Sequence, residues 1–192
     1  DYITVGYGSY LEFEGIIPAF TMGEKLTTPL TTQLKSIVRH AAITSEAGIR
    51  TPDNAETILA SGEADLVSIV RGQIADPDFA AKARAGATDE IRLCLSCNQE
   101  CVGRMGLNRW LGCIENPRTG RESQGVGLSR PASKRRNVMV VGAGPAGLQA
   151  AIAAARNGHT VTVYEKEPVP GGQVRLAASV PNRAEFGDMI RN

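Results

Sequence analysis

Val138-Met139-Val140-Val141-Gly142-Ala143-Gly144-Pro145-Ala146-Gly147 joins an apolar strand directly to a glycine-rich turn. Leu148, Ala151, Ile152 and Ala155 then recur at helical spacing, and Asn157-Gly158 closes that helix. Val161-Thr162-Val163-Tyr164 reads as a second strand, with Glu165 at its end and Lys166 beside it. A G-x-G-x-x-G motif alone is a weak signal. Set between strand and helix, with an acid about twenty residues on, it describes a dinucleotide-binding β/α unit. The first glycine makes the tight turn, the second lets backbone approach a pyrophosphate, and the third permits close helix–strand packing. Ala143, Pro145 and Ala146 complete the turn, and the helix N-terminus adds partial positive charge. Glu165 is placed to accept hydrogen bonds from an adenosine ribose. Gly171-Gly172-Gln173 follows, with paired glycines that leave room for a bulky ligand and an amide that can bond it.

Upstream, Gly125 to Lys134 is rich in Gly, Ser and Pro and reads as a linker. Lys134-Arg135-Arg136 is a solvated basic run at its end. Before the linker come all four cysteines of the chain, in Cys94-Leu95-Ser96-Cys97-Asn98-Gln99-Glu100-Cys101 and then Cys113. Their spacing is C-x2-C-x3-C-x11-C. Three thiolates on one loop with a fourth on a returning segment suit a compact polynuclear cluster, since a four-iron, four-sulfur cube offers one site per iron. Zinc is the competing metal, but it usually takes two separate C-x2-C-like pairs, and the second pair is absent. Two disulfides or free thiols are the plainest alternative, and nothing else in the chain looks secreted. Asn116-Pro117-Arg118-Thr119-Gly120 is turn chemistry.

Residues 1–85 alternate strands and helices. Tyr2-Ile3-Thr4-Val5 is a short strand ending at glycines, and Leu30, Leu34, Ile37, Val38 and Ala41 recur at helical spacing. Ala42-Ile43-Thr44-Ser45 reads as a buried strand. Thr51-Pro52 opens a helix that carries Ala55, Ile58 and Leu59 on one face and ends at Gly62. Leu66-Val67-Ser68-Ile69-Val70 is the next strand, ending at Arg71, and a short helix spans Pro77 to Ala85. This order predicts parallel β/α architecture, with too few strands to close a barrel.

The 192 residues are 42% hydrophobic and 21% charged, an ordinary balance for a packed soluble domain. Twenty-one Lys and Arg against twenty Asp and Glu leave a net charge of +1, so no field favours nucleic acid or an anionic membrane. No apolar run approaches the ~20 residues of a membrane span. Thiolates that hold a cluster suit a reducing compartment, which makes the cytoplasm the expected location.

The order of parts resembles the iron–sulfur flavoenzymes of the old yellow enzyme group, which include bacterial dienoyl-CoA reductase, trimethylamine dehydrogenase and related enoate reductases. The matching pieces are Ala64-Asp65-Leu66-Val67-Ser68-Ile69-Val70-Arg71 with Ala75-Asp76-Pro77, the cysteine block through Asn116-Pro117-Arg118, and residues 142–165 with Gly171-Gly172-Gln173. The resemblance implies an α/β chain in four parts. Residues 1–85 would be the C-terminal part of an FMN-binding TIM barrel, and 86–128 a cluster segment. Residues 129–136 would be a linker, and 137–192 the start of a Rossmann-like FAD (ADP-moiety) domain. The chain would then be an internal fragment, inactive alone, without five barrel strands, the rest of the FAD domain and the NAD(P)H domain. Cys94, Cys97, Cys101 and Cys113 would hold a 4Fe-4S cluster, while Gly48, Val70 and Arg71 would bind the FMN phosphate. Where dienoyl-CoA reductase has a catalytic histidine this chain carries Gly8-Ser9-Tyr10, which makes Tyr10 the catalytic candidate as a proton donor or substrate contact. Some members carry arginine at the position of Gly48, with Arg50 two residues on here. The implied activity is a relay from NAD(P)H through FAD and the cluster to FMN, which reduces an activated alkene. The alternatives are an amine dehydrogenase that passes electrons to an external flavoprotein, and a non-enzymatic zinc-binding module.

Overall fold

A computed structural model describes residues 1–127 and 129–192. The chain divides into two compact units, Asp1–Thr119 and Gly120–Asn192. The boundary expected at residue 128 falls outside the described residues.

The first unit is built on a parallel sheet of β1 (Tyr2–Val5), β2 (Ala42–Ser45) and β3 (Leu66–Val67), in that spatial order. A single turn, α1 (Phe13–Ile16), follows β1, and α2 (Thr28–Ile37) returns the chain to β2. The helix predicted around residues 30–41 thus starts earlier and stops at Val38, whose extended backbone leads into the strand. α3 (Pro52–Ala60) links β2 to β3. Its start follows from local chemistry: Thr51 Oγ1 accepts a hydrogen bond from the Asn54 N–H, Asn54 Oδ1 accepts one from the Thr51 N–H, and Pro52 occupies the first turn. Ile58 of α3 is fully buried and packs with Ile49 and Ala64 against Ala55, Val67 and Ile69. That apolar cluster attaches α3 to the sheet.

β3 is shorter than the strand expected to run to Val70. The ladder partner β2 ends at Ser45, and after the Ser68 N–H bonds the Ser45 carbonyl there is nothing left to pair. The chain turns instead at Val70 into an unanticipated helix, α4 (Arg71–Ala75). α5 (Phe79–Arg84) follows, and Phe79, Ile91 and Leu93 form a second cluster against Ile69 and Ala83. Asp76 fastens this region. Only 5% exposed, it accepts from the Lys82 ammonium at 2.6 Å and from the backbone N–H groups of Arg92 and Asp78. Arg92 lies two residues before Cys94, so this carboxylate fixes the entry to the cysteine segment. That segment also contains one short helix, α6 (Val102–Gly106).

In the second unit β4 (Asn137–Val141) and β5 (Thr160–Tyr164) pair in parallel, joined by α7 (Pro145–Arg156), and α8 (Gln173–Ala178) and α9 (Asp188–Arg191) follow. Both units therefore have the parallel β/α character expected from the sequence. Residues 129–136 are not a free tether. Ser129 donates to the Arg156 carbonyl, Arg130 N–H to the Asn157 side chain, and Arg136 N–H to His159 Nδ1. They clasp the end of α7, where unpaired helix carbonyls need donors. No helix among the described residues is long and apolar enough to cross a membrane.

Candidate functional site

The glycine turn of the second unit is shaped by sterics. A Cβ on Gly147 would lie 2.0 Å from the Gly142 carbonyl oxygen, so only glycine lets α7 approach β4 this closely. Gly142 and Gly144 are different, because a Cβ at either would meet nothing within 4 Å. Their open side is where a ligand's pyrophosphate can approach the turn. Gly144 precedes Pro145, the first residue of α7, so a twelve-residue helix presents its N-terminus to that space. Ala143 is buried, and its carbonyl accepts from the Gly171 N–H at 2.7 Å. This bond draws Gly171-Gly172 against the turn, and a Cβ on Gly172 would come within 3.3 Å of Gly144 Cα. Gln173 starts α8 from there. Glu165 Oε2 accepts the Ala143 N–H at 2.7 Å, and Oε1 accepts that of Glu167. These two bonds, the Glu167 one foremost, hold the carboxyl below the usual carboxylate range. Glu165 therefore stays anionic beside the turn, while the Lys166 ammonium stands exposed 3.8 Å from Glu167.

In the first unit the four cysteines are free thiols, each partly buried. Leu95 and Ser96 are buried between them, and Ser96 and Asn98 adopt left-handed backbone that folds the turn tightly. Ser96 N–H donates to Cys94 Sγ at 3.3 Å, Gln99 N–H bonds Cys97, and the N–H groups of Asn116 and Glu115 bond Cys113. Burial pushes the Cys97 thiol up to about 11, with the neighbouring Cys94, Cys101 and Cys113 adding to the rise against the Gln99 bond. Burial likewise raises Cys94 and Cys113. Thiols so placed are protonated at neutral pH and lose their protons on binding metal. Among the described residues no three metal-binding side chains stand at coordinating distance. The donor chemistry nevertheless fits a four-thiolate group: four free cysteines, three of them already accepting backbone N–H bonds of the kind that set cluster potentials.

A cavity of about 320 Å³ opens beside this turn, lined by Gly48, Val70 and Arg71 from the loops after β2 and β3 and by Cys94 and Cys101. Gly48 has φ +77°, and a Cβ there would come within 3.1 Å of Glu24 Cα and Lys25 N. Lys25 N–H in turn bonds the Gly48 carbonyl. The Arg71 guanidinium donates to Asn98 Oδ1 at 2.6 Å, and Asn98 Nδ2 donates to the Ile17 carbonyl. Arg50, only 9% exposed, reaches the Cys94 carbonyl through Nε at 2.7 Å and pairs with Glu24. Arg50 from the loop after β2 and Arg71 from the start of α4 thus both reach the cysteine turn.

Residues 137–184 match the family of FAD dependent oxidoreductases. Over 158 residues the chain is 45% identical to an NADH oxidase of Thermoanaerobacter brockii, covering 82% of this chain and 24% of the relative. It is 34% identical over 188 residues to an N,N-dimethylglycine/sarcosine dehydrogenase of Chromohalobacter salexigens, covering 97% of this chain and 27% of that one. A solved 2-naphthoyl-CoA reductase in complex with 2-naphthoyl-CoA superposes with a TM-score of 0.92 at 32% identity, covering 98% of this chain and 28% of its own. The chain is homologous to the old yellow enzyme-type iron–sulfur flavoenzymes. It spans about a quarter of the length of these relatives.

Against that flavoenzyme background the candidate residues fall into two groups. Gly48, Val70 and Arg71 line one cavity of the first unit with Cys94 and Cys101, which Cys97 and Cys113 do not line; the residues of the glycine turn gather with Glu165, Gly172 and Gln173 in the second. Tyr10 joins neither. It stands 93% exposed on the Ser9–Glu12 turn and does not line the cavity. Residues given no role from the sequence include Asn98, Glu24, which pairs with the Arg50 noted beside Gly48, and Asn116, whose side chain donates to the Ile74 carbonyl and accepts the Arg118 N–H. Asn98 lies inside the cysteine motif and Arg50 lies two residues past Gly48, so adjacency to a motif was the available signal.

Proposed function

We propose that these residues form the FMN- and cluster-binding end of a β/α barrel and the opening of an FAD-binding domain in a multi-cofactor oxidoreductase. When bound, the groups would carry electrons from NAD(P)H through FAD and a 4Fe-4S cluster to FMN, for hydride delivery to an activated alkene of the enoate or dienoyl-CoA type. Cys94, Cys97, Cys101 and Cys113 hold the cluster. The Gly48 backbone, Val70 and the Arg71 guanidinium receive the FMN phosphate, a charge-assisted contact to an anion. The turn at residues 142–147 and the start of α7 receive the pyrophosphate, Glu165 the ribose, and Lys166, Gly172 and Gln173 the remainder of the nucleotide. Tyr10 remains the candidate proton donor. Residues 1–85, 86–128 and 137–192 are the corresponding functional segments, with 129–136 between them, and a cytoplasmic location suits the thiolates. What supports this reading most is the shared cavity, where the phosphate-binding candidates of the strand ends and two cysteines line one space.

A second reading draws on the sarcosine-type dehydrogenase relative. There FMN would oxidise a small amine, and the cluster would hand electrons to an external electron-transfer flavoprotein, with the glycine turn holding only ADP. Acid release of cofactors from the full-length enzyme, followed by anaerobic titration with reduced nicotinamide, separates the two. The reductase reading expects FMN with FAD and bleaching by NAD(P)H. FMN with ADP, no bleaching by NAD(P)H and reduction by a small amine would replace it with the dehydrogenase.

A further inference from the structure

The Arg50 guanidinium is the buried cation held directly against a cysteine of the cluster motif. Its Nε donates to the Cys94 carbonyl at 2.7 Å, and its Nη1 lies 3.2 Å from Glu24 Oε1. Glu24 is itself oriented, because its other oxygen accepts from Asn54 Nδ2 at 2.9 Å, and Asn54 is the capping partner of Thr51 at the start of α3. The chain of contacts therefore runs from a helix cap through a carboxylate and a guanidinium to the backbone of a cluster ligand. Its two charges are of opposite sign. The positive one is the nearer, bonded to Cys94 itself, and the negative one stands behind it.

We propose that Arg50 is a positioning residue that fixes Cys94 and raises the reduction potential of the cluster, with Glu24 as the counter-charge that limits the rise. The inference rests on reading the four cysteines as a cluster site. A one-electron reduction adds a negative charge to the cluster and its sulfurs with no proton taken up. A fixed cation nearby therefore favours the reduced form, and a fixed anion opposes it. Burial strengthens the Arg50 effect relative to surface charges, which water and salt screen, whereas Glu24 is exposed to that screening. Arg71 also points to the cysteine turn, through Asn98, but it is assigned to phosphate and is the weaker probe for that reason.

The test uses the full-length holoenzyme and its Arg50→Gln, Arg50→Lys and Glu24→Gln variants. Iron and labile sulfide are counted first, and cluster potentials are then read by spectroscopically monitored redox titration with dithionite. Arg50→Gln is expected to shift the one-electron equilibrium about tenfold toward the oxidised cluster, about 59 mV lower. Glu24→Gln is expected to shift it the opposite way, and Arg50→Lys to stay near the parent. If Arg50→Gln loses its iron, Glu24→Gln decides alone: a higher potential supports the inference, and an unchanged or lower one overturns it. Shifts of the same sign in both Gln variants, or none with iron intact, also overturn it. A parent enzyme without iron would instead end the cluster reading on which it rests.

Discussion

The glycine turn at residues 142–147 and the cysteine turn at residues 94–101 are both tight loops that present backbone N–H groups, but different forces hold them. The glycine turn bonds to Tyr164, Glu165 and Gly171, all belonging to the same β/α unit or the loop just beyond it. Its shape is enforced by the carbonyl of Gly142 lying where a Gly147 side chain would be. The cysteine turn is held from far along the chain. Phe20 N–H bonds Ser96, Asn98 reaches Ile17, and Arg50 and Arg71 arrive from separate strand ends. The first turn is an outcome of local sterics, and the second depends on a tertiary network.

That contrast is sharpest at two glycines three residues apart. Gly147→Ala is expected to destabilise the second unit by about 3 kcal/mol, because the methyl group overlaps a backbone oxygen that β4 cannot withdraw. Gly144→Ala meets open space with φ at −75° and is expected to cost under about 1 kcal/mol, while weakening adenine-nucleotide binding. Hydrogen exchange of residues 137–164 in the full chain, with nucleotide titration alongside, checks both. Equal destabilisation by the two would contradict the division of labour.

For the cysteine turn the corresponding weak point is remote. Asp76→Ala would strand the Lys82 ammonium and two backbone donors, and is expected to cost about 2–3 kcal/mol in unit 1. The carboxyl carries a pH signature as well. Burial raises its pKa, but the Lys82 ammonium and the Arg92 and Asp78 N–H groups outweigh burial, so the folded value lies below the ordinary one. The stability it contributes is then fully present above the ordinary carboxylate value, about 3.9, and is lost as pH falls through the lower folded value. Denaturant titration between about pH 5 and 2 should show a steeper acid slope in the parent than in Asp76→Asn, with Glu165 and Asp65 keeping part of the slope in both. Equal slopes in parent and variant would mean the Asp76 bonds do not form.

These two regions also mark what could be read from the sequence. β1, β2, α3 and the β4–α7–β5 unit were legible because caps, glycines and apolar spacing act over a few residues. The end of β3 was not, since it depends on where β2 stops, a residue twenty-odd positions earlier. α4 was missed for the same reason. At the site, the cysteines and glycines identified themselves by spacing, whereas Asn98, Arg50 and Glu24 form bonds spanning 26 to 81 positions that no local pattern records. Residues 129–136 have linker composition, yet their polar atoms serve as caps for α7, which composition alone does not reveal.

The central claim is that the tertiary network around residues 94–113 holds a four-iron, four-sulfur cluster beside the strand-end phosphate site. Iron and acid-labile sulfide counted in the anaerobically reconstituted full-length enzyme test it most directly. The account predicts about four of each per chain, falling in each single Cys→Ser variant of Cys94, Cys97, Cys101 and Cys113. One zinc per chain with no sulfide would contradict it.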